Sequence, residues 1–267
     1  MTQISILGCG WLGLPLAKAL LEKGFLINGS TTSEEKILML KNKGINPFLI
    51  RLESQNVVGE MAHFLDGSTT LIIDIPPKLR GNSTEDFVGK IQNLIPHLEN
   101  STLKNVLFIS STSVYGENNT IITEETTTNP DTEGGRQLVK AEALLQKNSH
   151  FKTTILRFGG LIGEDRNPVK FLSGRENIEN PEAPINLIHQ EDCIGIILKI
   201  LETDSWNETF NAVTPFHPSR EKYYTKKATD LNLVPPKFNT INTSAGKTVL
   251  SDKIESVLKY TFAKTNL

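Results

Sequence analysis

The sequence predicts an α/β fold: an open, parallel sheet covered on both faces by helices. Two observations predict it. Over roughly the first two hundred residues, short β-rich runs alternate with helical patterns, and a glycine cluster separates the first run from the first helix.

Each element follows from local chemistry. Ile4 to Leu7 reads as a buried strand. Leu12 to Lys23 carries apolar residues at helical spacing and stops at Gly24, a helix-ending residue. Phe25 to Gly29 is the second strand, and Ser33-Glu34-Glu35-Lys36 opens a helix that ends near Gly44. Pro47 to Leu52 is a third strand, and Leu71 to Ile73 a fourth, closed by Asp74 and then Pro76-Pro77. Thr84 to Leu98 reads as a helix that Pro96 should bend or end. Asn105 to Ile109 is a fifth strand, ending in a serine cluster. Thr132 to Lys147 is a helix, Thr153 to Leu156 a sixth strand, Gln190 to Leu201 an apolar helix and Thr209 to Val213 a last strand. This rhythm calls for right-handed crossovers between parallel strands.

Two segments break the rhythm. Residues 165–184 are rich in Asn, Glu, Gly and Pro, and 214–267 hold a helix near Ser219 to Leu231, a Pro235-Pro236 break and a short helix from Ser251. Together they predict a small C-terminal substrate lobe over the carboxyl edge of the sheet. The sheet domain then comprises 1–164, completed by 185–213. Thr123 to Asp131 reads as a mobile surface loop.

Bulk properties exclude several classes. The 267 residues carry 28 basic and 30 acidic side chains, a net charge of −2, so no basic excess points to nucleic acid or a membrane surface. No stretch approaches the roughly 20 apolar residues of a membrane span. The two cysteines, Cys9 and Cys193, make neither a disulfide framework nor a structural zinc site, and no metal is expected. The start of the chain shows no basic and apolar signal pattern, so a cytoplasmic protein is expected.

Gly8-Cys9-Gly10-Trp11-Leu12-Gly13 has G-x-G-x-x-G spacing between the first strand and the first helix. Gly8 permits the tight turn, Gly10 lets the backbone approach a pyrophosphate, and Gly13 lets helix and strand pack closely. The helix N-terminus offers free N–H groups and the positive end of its dipole. In this strand–turn–helix context the motif predicts a dinucleotide-binding, Rossmann-type doubly wound sheet. NAD is usually chosen by an acid after the second strand, but that region reads Asn28-Gly29-Ser30-Thr31-Thr32-Ser33. The hydroxyls and the missing carboxylate favour NADP. No Arg is present and Lys36 is the only nearby cation, so NAD stays open, and the hydroxyls also suit capping of the next helix.

Ser110-Ser111-Thr112-Ser113-Val114-Tyr115-Gly116 resembles the Ser-Ser-x-x-Val-Tyr-Gly signature of the extended short-chain dehydrogenase/reductases, which include sugar-nucleotide epimerases and dehydratases. Ile155 to Gly163 is similar to that family's sixth strand and following loop, and Asn186-Leu187-Ile188-His189-Gln190-Glu191-Asp192 to its Asn-x-Ile-His-x-x-Asp block. The resemblance implies a cofactor surface of Gly8, Gly10, Trp11, Leu12 and Gly13, then Ser30, Thr31 and Thr32, Ile75 and Pro76, Ser110 and Phe158. It also implies a possible homodimer.

The family's chemistry rests on a Tyr-x-x-x-Lys pair on the helix after the serine. Here that helix reads Glu133-Gly134-Gly135-Arg136-Gln137-Leu138-Val139-Lys140-Ala141-Glu142. Aligned through its Gly-Arg and Ala-Glu, Gly134 falls where tyrosine belongs and Leu138 where lysine belongs. Using Lys140 instead puts Arg136 at the tyrosine position, and Arg stays protonated. Lys140 also lies about 200° around the helix from position 138. A positioned acid–base group contributes about 10² to 10⁴-fold, so the ordinary mechanism does not carry over.

The catalytic candidates are therefore Ser111, to orient a ligand, and Tyr115, whose alternative role is packing. Asp74 is a candidate base or a cap of the following turn. His189 reads as structural or catalytic, and Cys9 as a thiol with a lowered pKa or a small residue fitting the turn. Arg157, Arg166 and Arg175 could clamp a substrate phosphate bidentately or make surface or structural pairs. The expectation is an NAD(P)-dependent oxidoreductase or epimerase-like enzyme acting on a small polar or sugar-like substrate. The alternative is a non-catalytic NAD(P)-sensing regulatory or interaction protein.

Overall fold

A computed structural model of the chain describes residues 2–79, 83–118, 120–239, 241 and 246–267. Positions 1, 80–82, 119, 240 and 242–245, which fall within the domain and lobe ranges above, lie outside the described residues.

Seven strands form the central sheet: β1 (Gln3–Leu7), β2 (Leu26–Thr31), β3 (Asn46–Leu49), β4 (Ser68–Ile73), β5 (Asn105–Ser111), β6 (Lys152–Phe158) and β7 (Thr209–Ala212). All pair in parallel, in the order β7-β6-β5-β4-β1-β2-β3. The doubly wound sheet expected from the sequence is thus present. β1 lies between β2 and β4, where the strand order reverses and such sheets open a crevice.

Side-chain alternation builds one core on each face. Ile4, Ile6, Ile72, Leu107 and Leu156 point one way, onto helices α1 (Gly13–Glu22) and α2 (Glu35–Lys41). Leu7, Leu71, Ile73, Val106, Phe108 and Ile155 point the other way, onto α3 (Met61–Leu65), α4 (Phe87–Glu99) and α5 (Glu133–Gln146). The helix caps follow the chemistry of N-terminal residues: Asp86 accepts from the Gly89 N–H at 2.9 Å, and Thr132 from the Gly135 N–H at 3.1 Å.

Several elements differ from expectation. The third strand stops at Leu49, and Arg51–Leu52 pairs antiparallel with Val57–Val58 instead. Helix α3 gave no periodic signal, being only five residues long. Pro96 lies inside α4, which runs three residues further, to Glu99. The loop 123–131 is anchored: Glu124 Oε1 accepts from the Asn211 N–H at 2.8 Å.

Beyond β6, Gly160–Ile162 pairs in parallel with Leu187–His189 and leads into the lobe. Between these strands lies α6 (Val169–Leu172); after them come α7 (Gln190–Glu202), α8 (Arg220–Asp230) and α9 (Asp252–Leu258). The lobe has its own core, in which Val169 and Ile185 meet Tyr223, Tyr224 and Ala228. The segment 214–267 is divided. Its first part belongs to this core, but Ile254 and Leu258 of α9 return to the sheet domain beside Ile196 and Ile197 of α7. No helix among the described residues is long and apolar enough to cross a membrane.

Candidate cofactor site at the carboxyl edge

The turn after β1 is held by close backbone contacts. Gly8 has φ +111°, and a Cβ there would stand 2.3 Å from the Asp74 carbonyl oxygen. A Cβ on Gly13 would stand 2.1 Å from the Gly8 carbonyl oxygen. Both glycines are therefore required by packing. Gly10 differs, because nothing lies within 4 Å of where its Cβ would be. Among the described residues the N–H groups of Trp11 and Leu12 have no protein partner. Open space, free N–H groups and a helix N-terminus together offer donors suited to an anion.

The hydroxyls after β2 divide between roles. Ser30 is buried, and its Oγ accepts from the Gly8 N–H at 2.9 Å, so it shapes the turn. Thr31 Oγ1 accepts from the Ser33 N–H at 3.1 Å, a local cap. Thr32 is exposed and faces solvent. Leu12 and Phe158 bury their side chains in the core, so only their backbones could meet a ligand. Ile75 is half-buried beneath Gly8, and Pro76 is exposed.

Asp74 ends the walk along β4 directly under the turn. Its Oδ2 lies 3.1 Å from the position of a Gly13 Cβ. Burial raises its pKa to about 7, partly offset by a hydrogen bond from the Gly13 N–H. The lowered pKa considered for Cys9 is corrected here. Burial, and then the Asp74 charge, push the thiol up to about 12, because it enters the core rather than the helix-end field.

The serine cluster is similarly resolved. Ser110 Oγ donates to Glu142 Oε1 at 2.5 Å, so this hydroxyl faces the core and not a cofactor. Glu142 Oε1 accepts from Arg157 Nε at 3.1 Å and its Oε2 from Nη2 at 2.6 Å. Arg157 Nη1 donates to the Tyr115 hydroxyl at 2.6 Å, and that hydroxyl donates to Asn211 Oδ1 at 2.9 Å. Tyr115 is 2 % exposed. Burial raises its pKa, against the lowering effect of Arg157. The catalytic role considered for Tyr115 is therefore replaced by a packing role: the phenol is committed to a buried network. Ser111 remains half-buried at the strand end. Its Oγ accepts from the Ser113 N–H at 3.2 Å and keeps its own proton for another partner.

On α5, Leu138 is buried in the core, Lys140 is exposed, and Gly134 has only Leu79 nearby, at 3.8 Å from a Cβ. The helix contains no tyrosine. His189 caps α7, its Nδ1 accepting from the Glu191 N–H at 3.2 Å. Glu142, Asn211 and Asp192 were not singled out by the sequence. Asp192 is wholly buried and accepts from the Tyr260 hydroxyl and from the N–H groups of Ala263 and Lys264, tying down the end of the chain.

The strand order and glycine turn define a Rossmann-type doubly wound fold. Solved structures agree. A functionally unknown conserved protein from Silicibacter pomeroyi superposes with a TM-score of 0.81 at 22% identity, covering 100% of this chain and 95% of that one. MoeE5 in complex with UDP-glucuronic acid and NAD gives 0.80 at 18% identity, covering 98% and 94%. UDP-glucuronic acid 4-epimerase from Bacillus cereus in complex with NAD gives 0.80 at 18%, covering 98% and 92%. No family model matches the chain. The chain belongs to the family of protein YeeZ: it is 32% identical over 264 residues to protein YeeZ of Escherichia coli (strain K12), across 98% of this chain and 96% of that protein.

Proposed function

We propose that the chain binds a nicotinamide dinucleotide with its pyrophosphate over Gly10, and acts as an NAD(P)-dependent oxidoreductase or epimerase-like enzyme. Its substrate would be small and polar or sugar-like, seated between Ser111 and the lobe. The observation that carries this reading is the open face of Gly10, beside the unpartnered N–H groups of Trp11 and Leu12. The NAD and UDP-sugar complexes of MoeE5 and the epimerase, which share the fold, support it. When bound, the nicotinamide supplies the hydride chemistry. The chain's residues then bind and orient: the turn holds the phosphates, and Ser111 offers its hydroxyl proton to a substrate oxygen. A preference for NADP rests on exposed Thr32 and on Lys36, with no acid between Asn28 and Ser33.

Calorimetric titration with NADH and NADPH tests the binding, and a panel of carbonyl, alcohol and nucleotide-sugar substrates tests turnover. No affinity for either coenzyme would remove the reading altogether.

A second reading is favoured by α5. With Leu138 buried, no tyrosine on the helix and Tyr115 engaged with Arg157, the chain lacks a free phenol at the family's position. It would then sense the dinucleotide without turnover. Pull-downs with and without cofactor distinguish this version, which predicts that the partner set changes; identical sets would end it.

A further inference from the structure

The glycine turn is gripped from the lobe side through Trp11. The indole Nε1 donates to Asp165 Oδ1 at 2.7 Å, across 154 residues of sequence. The Trp11 carbonyl accepts from Gln190 Nε2 at 2.7 Å. Gly163 packs against the ring, where a Cβ would stand 2.9 Å from Trp11 Cζ2. Gly163 and Arg166 close a tight turn by reciprocal backbone bonds of 3.0 and 3.1 Å. That turn sets the Arg166 guanidinium 5.0 Å from the indole centroid.

Arg166 is therefore a cation parked on the phosphate turn itself. It is exposed and makes no ion pair with any described carboxylate. The neighbouring Asp165 is turned onto the indole. A guanidinium over an aromatic face with no carboxylate partner keeps N–H donors for another acceptor, and phosphate oxygens suit them bidentately. The turn that carries it leads into α6, the first helix of the lobe.

We propose that Arg166 clamps the pyrophosphate of the dinucleotide, and that Trp11 and Asp165 hold it in place. This rests on the cofactor reading above and deepens it, because the lobe's first turn becomes part of the cofactor site. A diphosphate on a nucleotide-linked substrate has the same chemistry, so the test must separate the two sources.

The experiment measures the dissociation constants of NADH, NADPH and UDP for the wild-type chain and for Arg166→Gln, Arg166→Lys and Trp11→Phe, with thermal melts of each. Arg166→Gln should weaken NADH and NADPH about ten- to hundred-fold, the size expected for lost charge-assisted bonds. Its melt should be unchanged. Arg166→Lys should recover part of the loss, since it keeps charge without the fork. Trp11→Phe keeps a ring but loses the bond to Asp165, and should weaken both coenzymes less than Arg166→Gln. Coenzyme binding by Arg166→Gln equal to wild type overturns the clamp while sparing the cofactor reading. A loss confined to UDP assigns Arg166 to substrate and overturns it equally. A wild-type chain that binds neither coenzyme overturns both readings. If Arg166→Gln fails to fold, Arg166→Lys alone decides: an unchanged coenzyme affinity with a lysine there overturns bidentate clamping.

Discussion

The Arg157 guanidinium donates to the Tyr115 hydroxyl at 2.6 Å while closing on both oxygens of Glu142. Burial works against the Arg157 charge, yet Glu142 more than offsets it and holds its pKa above the usual value. The tyrosine of the serine signature is thereby a beam between β5, β6 and β7. Tyr115→Phe should leave Arg157 and Asn211 short of a partner and lower stability by about 1–3 kcal/mol. Glu142→Gln should cost more, about 3–5 kcal/mol, because it strands a buried cation. Denaturant unfolding measures both. Coenzyme affinity of Tyr115→Phe should stay within about twofold of wild type; a large loss of affinity at unchanged stability would return Tyr115 to the site.

Gly10 and Gly13 should separate binding from folding. Gly13→Ala forces a Cβ to 2.1 Å from the Gly8 carbonyl, so it should destabilise the chain by about 1–3 kcal/mol. Gly10→Ala meets no protein atom and should melt like wild type, yet it fills the space proposed for the pyrophosphate. Its affinity for NADH should fall at least about tenfold, or about 1.4 kcal/mol. Normal coenzyme binding by Gly10→Ala would contradict the placement.

With the pyrophosphate over the turn as proposed, Asp74 should make binding pH-dependent. With a pKa of about 7 in the folded chain, it is largely neutral below that pH and charged above it. A phosphate bound there should raise the pKa further, so that binding takes up a proton and affinity should fall as the pH rises past about 7. Each unit of that rise weakens binding about tenfold at high pH. The same sign governs stability. The folded pKa lies above the unfolded one, so the contribution is present below about pH 4 and is lost as the pH rises to about 7. Titrations from pH 6 to about 9 should show the decline in wild type and a flat profile in Asp74→Asn. A sloping Asp74→Asn profile would assign the effect elsewhere.

Cys9 should be inert despite lying in a helix-end turn. Its thiol is pushed up to about 12, and Cys193 is pushed well above its ordinary value by burial. Labelling of the native chain with a thiol reagent at about pH 8 should be slow, and denaturation should release both groups. Rapid native labelling would disprove the burial argument.

Much of the fold was legible because its signals are local. The apolar runs of β1 and β5, the apolar spacing of α1 and α7 and the Thr132 cap of α5 all act within a few residues. The elements missed were short or interrupted: α3 has one turn and a half, and the strand after Pro47 breaks at Ile50 to form a hairpin.

The sequence by itself determined the parallel sheet, its glycine turn and the missing phenol on α5, because periodicity, glycine spacing and residue identity are properties of neighbours along the chain. Only the tertiary structure decided which polar groups face a ligand. Ser110 and Ser111 are adjacent, yet one turns into the core onto Glu142 and the other stays at the strand edge, since successive strand residues point to opposite faces. Trp11 meets Asp165 across 154 residues, a contact that no local pattern encodes. Whether a charge is used, buried or left free depends on what the fold brings beside it.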